Sequence, residues 1–384
     1  MEETTATKRP SLNSSTQTLI TLGDSLPTLP FELIIEILSR LPVKFLIQLQ
    51  CVCKSWKSLI SDPKFAKMHL RMSTTRHLVV LTLTKPSRSL IVKTYPLSSL
   101  FTEITATATQ LAYPLNNDNQ FEFIVGSCHG ILCFAIDQSV ALLWNPSIRK
   151  FTKLPSLEYP CRLGCYTIYA FGYDHFSDTY KVVSVSCYRS FNLTDCFFKT
   201  KVKIHTLGTN SWRRIQDFPT GVPFEFDESG KFVNGTINWL ASTNSSSLWV
   251  IVSLNLKDEC YQELLLPDYG GVDVVTLTIG VLSDCLCILS YSDTFSDVWL
   301  MKEYGNKDSW TNSFRVPFME GVGSPYTKAL YVSEDDQVLL ECDSKLVTYN
   351  SSHGTFKTPR IQNIKGWMVP EIYQESLISP CFQQ

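Results

Sequence analysis

A cysteine and a histidine stand side by side at Cys128-His129, and a thiol beside a base is the minimum arrangement for covalent catalysis. The residues around them predict a β-strand, in which successive side chains point to opposite faces. The two side chains therefore meet only if the backbone bends there, so a structural role is favoured. The chain also has no P-loop, no dinucleotide-binding glycine fingerprint and no nucleophile elbow.

Three pairs of closely spaced cysteines could suggest a metal site: Cys51-x-Cys53, Cys161-x3-Cys165 and Cys285-x-Cys287. Zinc sites are usually built from paired knuckles, and no second Cys or His pair lies at a fitting distance from any of these. On a strand, Cys285 and Cys287 would share one buried face, where cysteine acts as a small hydrophobic residue. Paired acids such as Asp335-Asp336 lie in polar, turn-like stretches. We therefore expect no enzyme, no metal and no other cofactor.

Composition excludes several further classes of protein. A net charge of −2 over 384 residues argues against a nucleic-acid or anionic-membrane footprint. No apolar run approaches the roughly 20 residues of a membrane helix, and the N-terminus lacks the apolar core of a signal peptide. The 13 cysteines, without an export signal, are interpreted as reduced thiols. We therefore expect a protein of the cytoplasm, the nucleus or both.

The first recognisable structural element of the chain is a helical block at residues 29–70. Pro30 suits the first turn of a helix and Pro42 ends it, which predicts a first helix from Pro30 to Arg40. Its apolar side chains fill an arc of roughly 200°, about twice what a surface helix needs. A second apolar stripe from Val43 to Ile60 predicts two short helices or one bent helix, and a further short helix is expected at Pro63–Leu70.

A unit of about 40 residues cannot bury so much apolar surface alone, so a protein partner is the simplest explanation. The block contains these segments: Leu29-Pro30, Glu36-Ile37-Leu38, Arg40-Leu41-Pro42-Val43-Lys44, Cys51-Val52-Cys53-Lys54-Ser55-Trp56, Leu59-Ile60, Asp62-Pro63 and Phe65. This pattern resembles an F-box over the whole length of that motif.

The resemblance implies that the block binds the Skp-type adaptor of an SCF cullin–RING ubiquitin ligase. In F-boxes the Leu-Pro entry, the apolar face of the first helix and the Val/Cys…Trp region form or support the adaptor contact. The matching residues are Leu29, Pro30, Leu33, Ile37, Leu41, Pro42, Leu46, Cys51, Val52 and Trp56. The alternative is a purely internal three-helix core, to which Leu46 and Trp56 could well belong.

After residue 75 the pattern changes to short β-type runs. Strands are predicted at His77–Thr84, Gly130–Ala135, Val140–Trp144, Tyr169–Tyr173, Tyr180–Val185, Lys201–Leu207, Ile237–Ala241, Trp249–Leu254, Cys285–Tyr291, Asp297–Lys302, Gln337–Glu341 and Lys345–Tyr349. No helix is recognised among them, and Asn234-Gly235 is a strong hairpin signal. Polar turns recur every 43 to 50 residues after a first interval of about 65. This period suits a propeller of about six four-stranded blades, with five or seven blades or a pair of β-sandwiches as alternatives.

The same region resembles the F-box-associated domain of the large plant F-box family, with a kelch-like period. The motifs are Gly126-Ser-Cys-His-Gly130, Trp144-Asn-Pro-Ser147, Phe171-Gly-Tyr-Asp174, Tyr180-Lys-Val-Val183, Asn210-Ser-Trp212, Val233-Asn-Gly235, Asn238-Trp-Leu240, Gly280-Val-Leu282 and Asp297-Val-Trp299. The double-glycine kelch signature is missing from most repeats, so the likeness to kelch proteins concerns the period.

The sequence thus predicts an α+β multidomain chain, in which a three-helix F-box precedes a mostly antiparallel, all-β propeller-like domain. The expected domains are a disordered leader at 1–25, the F-box at 26–75, the propeller-like domain at 76–361 and a C-terminal tail at 362–384 that could close the propeller. The resemblance implies a substrate-recognition subunit that brings an unknown target protein to the ligase for ubiquitination and proteasomal degradation. The alternatives are a non-degradative F-box adaptor and a glycan-binding F-box protein.

Target contact is expected on propeller loops with aromatic residues or arginine, because these dominate binding hot spots. The candidate loops are Tyr188–Phe198, Pro219–Phe226, Pro267–Val272 and Phe318–Tyr326. The candidate anchors within them are Arg189, Phe191, Phe224, Tyr269 and Tyr326. For each anchor an ordinary loop role is the competing interpretation.

Overall fold

The computed structural model describes residues 29–83, 90–103, 105–115, 122–136, 139–157, 165–191, 196–219, 221–223, 229–242, 249–318, 326–342, 345–361 and 368–381. The chain divides into two compact units, Met1–Leu38 and Ser39–Gln384. The boundary between the units falls inside the first helix. The second unit contains the remaining helices and all the described strands.

The described helices are α1 (Phe31–Ser39), α2 (Val43–Leu49), α3 (Lys54–Ile60), α4 (Pro63–Met72) and α5 (Leu97–Thr102). Of the two alternatives predicted for Val43–Ile60, the structure has two short helices, which are separated at Cys53, whose extended backbone (φ −157°, ψ 165°) precedes α3. Helix α4 lies where the further short helix is expected.

Helix α5 contradicts the expectation that no helix follows residue 77. Its six residues make fewer than two turns, too few for a helical period to be recognised in a sequence. The buried side chains of Leu97 and Leu100 hold it in the core. Tertiary packing therefore specifies this helix.

The strands in chain order are β1 (Arg76–Leu83), β2 (Leu90–Pro96), β3 (Thr105–Ala106), β4 (Thr109–Leu111), β5 (Glu122–Cys128), β6 (Ile131–Ile136), β7 (Val140–Asn145), β8 (Lys150–Lys153), β9 (Tyr166–Asp174), β10 (Thr179–Phe191), β11 (Cys196–Thr206), β12 (Arg213–Arg214), β13 (Val222–Pro223), β14 (Ser229–Val233), β15 (Thr236–Ser242), β16 (Trp249–Asn255), β17 (Tyr261–Leu264), β18 (Thr276–Leu282), β19 (Cys285–Tyr291), β20 (Phe295–Met301), β21 (Trp310–Pro317), β22 (Tyr326–Val332), β23 (Gln337–Cys342), β24 (Lys345–Asn350), β25 (Thr355–Lys357), β26 (Arg360–Ile361) and β27 (Met368–Gln374). All twelve predicted strands overlap strands of this series.

Four separate sheets have four strands each, in the orders β27-β1-β2-β4, β5-β6-β7-β8, β18-β19-β20-β21 and β22-β23-β24-β25. A nine-stranded sheet contains two more four-stranded meanders, β9–β12 and β14–β17, together with the short strand β13. A short parallel ladder between β14 and β9 joins these two meanders. A two-stranded parallel sheet of β3 and β26 is separate from these. The described residues thus contain four separate four-stranded sheets, against the expected number of about six blades, because two meanders share one sheet.

The propeller-like arrangement follows from contacts among the first strands, that is, the strand that begins each four-stranded sheet order or meander given above. Strands β27, β5, β9, β14, β18 and β22 contact one another in that order, and β22 contacts β27 in turn. Buried apolar clusters lie between neighbouring sheets, for example between the sheets of β18–β21 and β22–β25. Strand β27, from the C-terminal end of the described chain, pairs with β1 and completes the first sheet. The predicted propeller is confirmed, and the β-sandwich alternative is wrong.

One turn shows how closely local chemistry determines the fold. Asn234 and Gly235 connect β14 to β15, and both have positive φ, of 49° and 78°. A type I′ hairpin turn needs positive φ at both central residues, which Asn and Gly tolerate best. The hairpin predicted at this position is confirmed.

Candidate functional site

Helix α1 leaves large apolar side chains in contact with solvent. Leu33 is 45% exposed and Ile37 is 51% exposed, whereas Leu38 is buried. Leu29 and Phe31, at the entry to the helix, are also exposed. The wide apolar arc of the sequence is thus only partly buried in the isolated chain, and its exposed side has the character of a protein-binding surface.

Helices α2 and α3 show the same division between buried and exposed apolar side chains. Leu46 and Ile60 are fully buried, while Val52 and Phe45 are exposed. Of the residues predicted to contact a partner here, Pro42, Cys51 and Val52 are exposed and Leu41 and Trp56 are half-buried. The side chain of Leu46 is fully buried in the described chain, and its part in partner binding stays a prediction.

The polar side chains of Asp62 and His69 fix helix α4 in place. The Asp62 side chain accepts a hydrogen bond of 2.7 Å from the backbone N–H of Lys64, with Pro63 at the first helical position. Further along the helix, Nε2 of the buried His69 donates to the backbone oxygen of Leu41 at 2.8 Å. This bond ties α4 to the residues that precede α2.

The same helix is hydrogen-bonded to the strands of the second unit. The side-chain amide of Gln374, at the end of β27, donates to the backbone oxygens of Leu70 (3.0 Å) and Ser73 (2.6 Å). Lys67 pairs with Asp178 in the turn after β9, and Asp178 also accepts a hydrogen bond from Tyr173. Side-chain hydrogen bonds from Lys67 and Tyr173 lower the pKa of Asp178 below its ordinary value. Helix α4 is therefore held against two different sheets.

A cavity of about 600 Å³ lies at the centre of the ring of first strands. Its lining includes residues of β27, β5, β14, β18 and β22. Lys328 in this lining pairs with Glu371 at 2.9 Å, so opposite charges on β22 and β27 compensate each other. Gly126 faces free space, since a Cβ added there would meet no atom within 4 Å. The lining as a whole carries three basic residues, Arg76, Lys231 and Lys328, and two acidic residues, Asp284 and Glu371.

The backbone bends at His129, which has a positive φ of 51°, but the surroundings of Cys128 and His129 do not favour a nucleophile and base. Burial raises the pKa of the Cys128 thiol above its ordinary value, which disfavours the thiolate. Burial also lowers the pKa of His129 to about 4, with smaller effects from His175 and Lys67. The His129 ring contacts Tyr173, and its Nδ1 lies 3.0 Å from the Tyr180 hydroxyl. The structural interpretation therefore fits the described geometry.

The cysteine pairs show no metal-binding arrangement in the described part of the chain. No group of three or more His, Cys, Asp or Glu side chains there could hold a metal ion. Cys51 and Cys53 are exposed, and Cys287 is buried beside the half-buried Cys285. Cys161 lies outside the described residues. No helix in the described ranges is long and apolar enough to cross a membrane.

The predicted target-binding anchors are only partly described. The side chains of Arg189, Phe191 and Tyr326 and the whole of Phe224 lie outside the described set. Tyr269 is half-buried and packs edge-on against Trp299 with 5.8 Å between ring centroids. Burial raises its pKa, and its hydroxyl has no hydrogen-bond partner among the described groups. The Tyr269 ring is thus partly packed into the protein interior. Target binding by these five residues stays a prediction.

Sequence reasoning missed a set of buried polar contacts within the propeller. Asn145, at the end of β7, is fully buried and donates to the backbone oxygens of Ser376 (3.0 Å) and Ile378 (2.8 Å). The Ser376 hydroxyl in turn donates to the backbone oxygen of His129 at 2.7 Å. The Trp144-Asn-Pro-Ser147 motif was the available signal for Asn145. Its partners could not be read from the sequence.

Comparison with known families assigns both parts of the chain. Residues 26–68 match the F-box domain family, and residues 89–379 match the family described as the F-box associated beta propeller domain. The second match covers well over half of the chain.

Individual relatives cover nearly the whole sequence. The F-box/kelch-repeat protein At3g23880 of Arabidopsis thaliana is 35% identical over 92% of this chain and 96% of its own length. The F-box protein CPR1 of Arabidopsis thaliana is 29% identical over 92% of this chain and 89% of its own. Among solved structures, the β-propeller domain of the Trilobed protease from Pyrococcus furiosus aligns over 75% of this chain and 82% of its own, with a TM-score of 0.41 and 10% identity. That likeness is too low to carry an argument.

Proposed function

Because the chain belongs to the family of plant F-box proteins that carry an F-box associated beta propeller domain, we propose that it is the substrate-recognition subunit of an SCF-type ubiquitin ligase. The F-box binds a Skp-type adaptor and, through the adaptor, a cullin–RING ligase. The propeller binds a target protein, which is then ubiquitinated and degraded by the proteasome. This activity takes place in the cytoplasm, the nucleus or both.

The observation that carries the proposal is the exposure of Leu33 and Ile37 on α1 within a segment that matches the F-box. Removing apolar surface from water contributes about 25 cal/mol per Å², so covering these side chains by a partner is favourable. An amphipathic helix that binds in a groove presents side chains spaced three or four positions apart. Leu33 and Ile37 have this spacing.

The proposed mechanism is proximity and needs no catalytic residue in this chain. A subunit that holds the adaptor at one end and a target at the other raises the effective concentration of the target near the ligase. The hydrogen bonds from Gln374 to Leu70 and Ser73 support this role, because they hold α4 against the propeller. A fixed α4 limits the loss of effective concentration that a flexible connection would cause.

Co-purification with a Skp-type adaptor tests the proposal. The intact chain is expressed with the adaptor, beside a Pro30→Ala/Leu33→Ala variant and a Phe151→Ala control whose exposed side chain lies on β8. We expect the wild type and the control to retain the adaptor and the double variant to lose it. Failure of the intact, folded chain to bind any Skp-type adaptor would contradict the proposal.

Target turnover separates a degradative receptor from an adaptor that only binds. Once a target is identified, its half-life is measured in cells that express the wild type or the Pro30→Ala/Leu33→Ala variant. We expect a shorter half-life only with the wild type, and only while the proteasome is active. Equal half-lives with both proteins would instead indicate a non-degradative F-box adaptor.

A further inference from the structure

A row of cations lies on one face of the sheet that contains β9–β12. Strand β11 carries Lys199, Lys201 and Lys203 at alternate positions. Alternate side chains of a strand point to the same face and are about 6.7 Å apart along it. Arg214 of β12 lies directly opposite Lys203 in the sheet, so it shares that face. We call these four residues the basic row.

The side-chain contacts agree with this placement. The ammonium group of Lys201 lies over the ring of Tyr188, 5.6 Å from its centroid. Tyr188 lies opposite Lys199 in the sheet, so the ring and both lysines share one face. Lys199 and Lys201 are exposed, Lys203 is half-buried, and the Arg214 side chain is 60% exposed. The basic row is therefore one continuous surface that solvent reaches.

The opposite face of the same strands is packed into the interior of the propeller. Val202 and Ile204 of β11 are fully buried, and they share an apolar cluster with Val183 and Val185 of β10. The strand that carries the three lysines is therefore held in place. A fixed backbone limits the conformational entropy that is lost when a ligand binds to its side chains.

The meander that carries the basic row contains little negative charge. In its described strands the only Asp or Glu is Asp174, which pairs with Lys181 at 3.0 Å. Asp217, after β12, pairs with Arg214 at 2.7 Å. The like charges of Lys203 and Arg214 lie opposite each other, an arrangement that destabilises a sheet. A local cost of this kind is expected where a surface has a function beyond folding.

A cleft continues this surface beyond Lys203. His205, the next residue of β11 on the same face, lines a space of about 550 Å³ together with Lys153 of β8. His205 is 2% exposed, and its Nε2 donates to the backbone oxygen of Thr209 at 3.1 Å. In the neutral ring Nδ1 is then an acceptor, and it has no partner among the described groups. A buried acceptor without a partner costs free energy, so this end of the surface favours a ligand that brings an N–H or O–H donor.

Lysines also protect exposed sheet borders against aggregation, and this role is the competing interpretation. Strand β12 pairs with only two residues of β11, Lys203 and Ile204, so much of β11 lies at the border of the described sheet. Protection of a border requires charge, but it requires neither a neighbouring cleft nor a buried histidine without a partner. The combination favours a binding surface, and the two interpretations predict different effects on peptide binding.

We propose that the basic row binds an extended, acidic segment of a target protein that has Asp or Glu at alternate positions. The word target rests on the proposed function, but the preference for acidic residues rests on the basic row alone. An extended chain spaces its alternate side chains as β11 spaces its lysines, so successive carboxylates meet successive cations. The row also adjoins Tyr188–Phe198, one of the loops predicted to contact a target.

A protein segment fits this surface better than a nucleic acid does. The whole chain has 34 basic and 36 acidic side chains, whereas nucleic-acid binding is usually accompanied by a strongly basic domain. The backbone N–H groups of an extended peptide would also bring hydrogen-bond donors to the end of the surface at His205.

Fluorescence anisotropy with the full-length chain tests this preference. The probe is a labelled peptide of alternating glutamate and serine residues. One comparison peptide has lysine in place of glutamate, and a block peptide has the same composition with all its glutamates consecutive. We expect the alternating glutamate peptide to bind most tightly, and also more tightly than labelled single-stranded oligothymidine. Its affinity should fall as salt is raised, because salt screens exposed charges.

Matched variants locate the binding. Lys201→Glu/Lys203→Glu reverses two charges of the basic row and is expected to weaken binding of the alternating glutamate peptide by at least about tenfold. Lys201→Gln/Lys203→Gln removes the charges, should weaken binding by a smaller factor, and decides the question if the charge-reversal variant does not fold. The control Lys302→Glu/Lys307→Glu makes the same change at two exposed positions between β20 and β21 and should bind as the wild type does. Circular dichroism checks that each variant is folded.

The outcomes are distinct. The proposal is overturned if the alternating glutamate peptide does not bind, if the lysine peptide or the block peptide binds as tightly, or if oligothymidine binds more tightly. It is also overturned if the control loses as much affinity as the variants of the basic row. Aggregation of those variants in sedimentation, with unchanged affinity for the peptide, would assign the lysines to protection of the sheet border instead. Adaptor co-purification should be unchanged in all variants, so a failure of the F-box proposal would be seen separately.

Discussion

The side-chain amide of Asn145 donates a hydrogen bond of 2.8 Å to the backbone oxygen of Ile378, which lies 233 residues further along the chain. The same amide donates to the backbone oxygen of Ser376 at 3.0 Å. Asn145 and Ser376 have no solvent exposure, so these bonds do not compete with water. They fasten the C-terminal segment that follows β27 to the second sheet of the propeller.

Replacing Asn145 with aspartate should destabilise the protein. The carboxylate keeps the acceptor for the N–H of Ser147 but faces the two backbone oxygens without a proton to donate. We expect a loss of about 2 to 4 kcal/mol in the free energy of unfolding, measured by urea denaturation. Asn312→Asp, at an exposed position of β21, is the matched control and should change stability by less than about 0.5 kcal/mol. Equal effects at the two positions would show that the hydrogen bonds from Asn145 to the C-terminal segment do not contribute to stability.

Stability should depend on the protonation of His129. Its pKa is lowered to about 4 in the folded state, mainly by burial, whereas an unfolded histidine has a pKa of about 6.5. Between these values the unfolded chain binds more protons, so stability is fully present above the unfolded pKa and falls as the pH decreases toward 4. We expect protonation of His129 to lower the free energy of unfolding by an amount on the order of 2 kcal/mol over that pH range.

The variant His129→Asn isolates this effect. Asparagine tolerates the positive φ of 51° at this position and does not titrate. The free energy of unfolding of the variant should fall less steeply than that of the wild type between pH 6.5 and 4. Some slope should remain, because burial also lowers the pKa of His205. Identical slopes for the two proteins would contradict the assignment to His129.

Replacing Gly230 or Gly126 with alanine should have different effects on the stability of the protein. A Cβ on Gly230 would lie 2.5 Å from Nε1 of Trp239, whereas a Cβ on Gly126 would meet no atom within 4 Å. We expect Gly230→Ala to cost about 1 to 3 kcal/mol through overpacking, and Gly126→Ala to be neutral or slightly stabilising. Thermal unfolding of both variants measures the difference. The explanation fails if Gly126→Ala proves the more damaging change.

The attachment of α4 to the propeller should depend on Gln374. Gln374→Glu replaces the amide donor with an oxygen that faces the backbone oxygens of Leu70 and Ser73. We expect faster hydrogen exchange in α4 and a decrease of about 1 to 3 kcal/mol in the free energy of unfolding. Gln262→Glu, at an exposed position of β17, is the control and should leave exchange in α4 unchanged. Unaltered exchange in both variants would mean that other contacts hold the helix.

Local sequence patterns predicted much of this fold. Asn234-Gly235 predicted its hairpin because the backbone conformation of that turn depends on those two residues alone. The wide apolar arc of the first helix predicted exposed side chains, since a single small helix block cannot bury so many. Alternation and turn spacing likewise predicted strands and a propeller period.

The missed features depend on residues far apart in the chain. Asn145 and Ile378 meet only because β27 returns to β1, and Lys67 meets Asp178 because α4 lies against the turn after β9. Helix α5 is too short for a periodic signal, and its formation depends on burial of Leu97 and Leu100. The half-burial of Tyr269 depends on Trp299, which belongs to a strand of the next sheet.

Titration calorimetry of a Skp-type adaptor into the full-length chain tests the proposed function most directly. The account predicts a one-to-one complex with a negative heat-capacity change, because apolar surface is buried on binding. Ile37→Asp should abolish the heat of binding, while Phe176→Asp, at an exposed aromatic position outside the F-box match, should leave it unchanged. Absence of binding by the folded wild type, or equal binding by Ile37→Asp, would contradict the account.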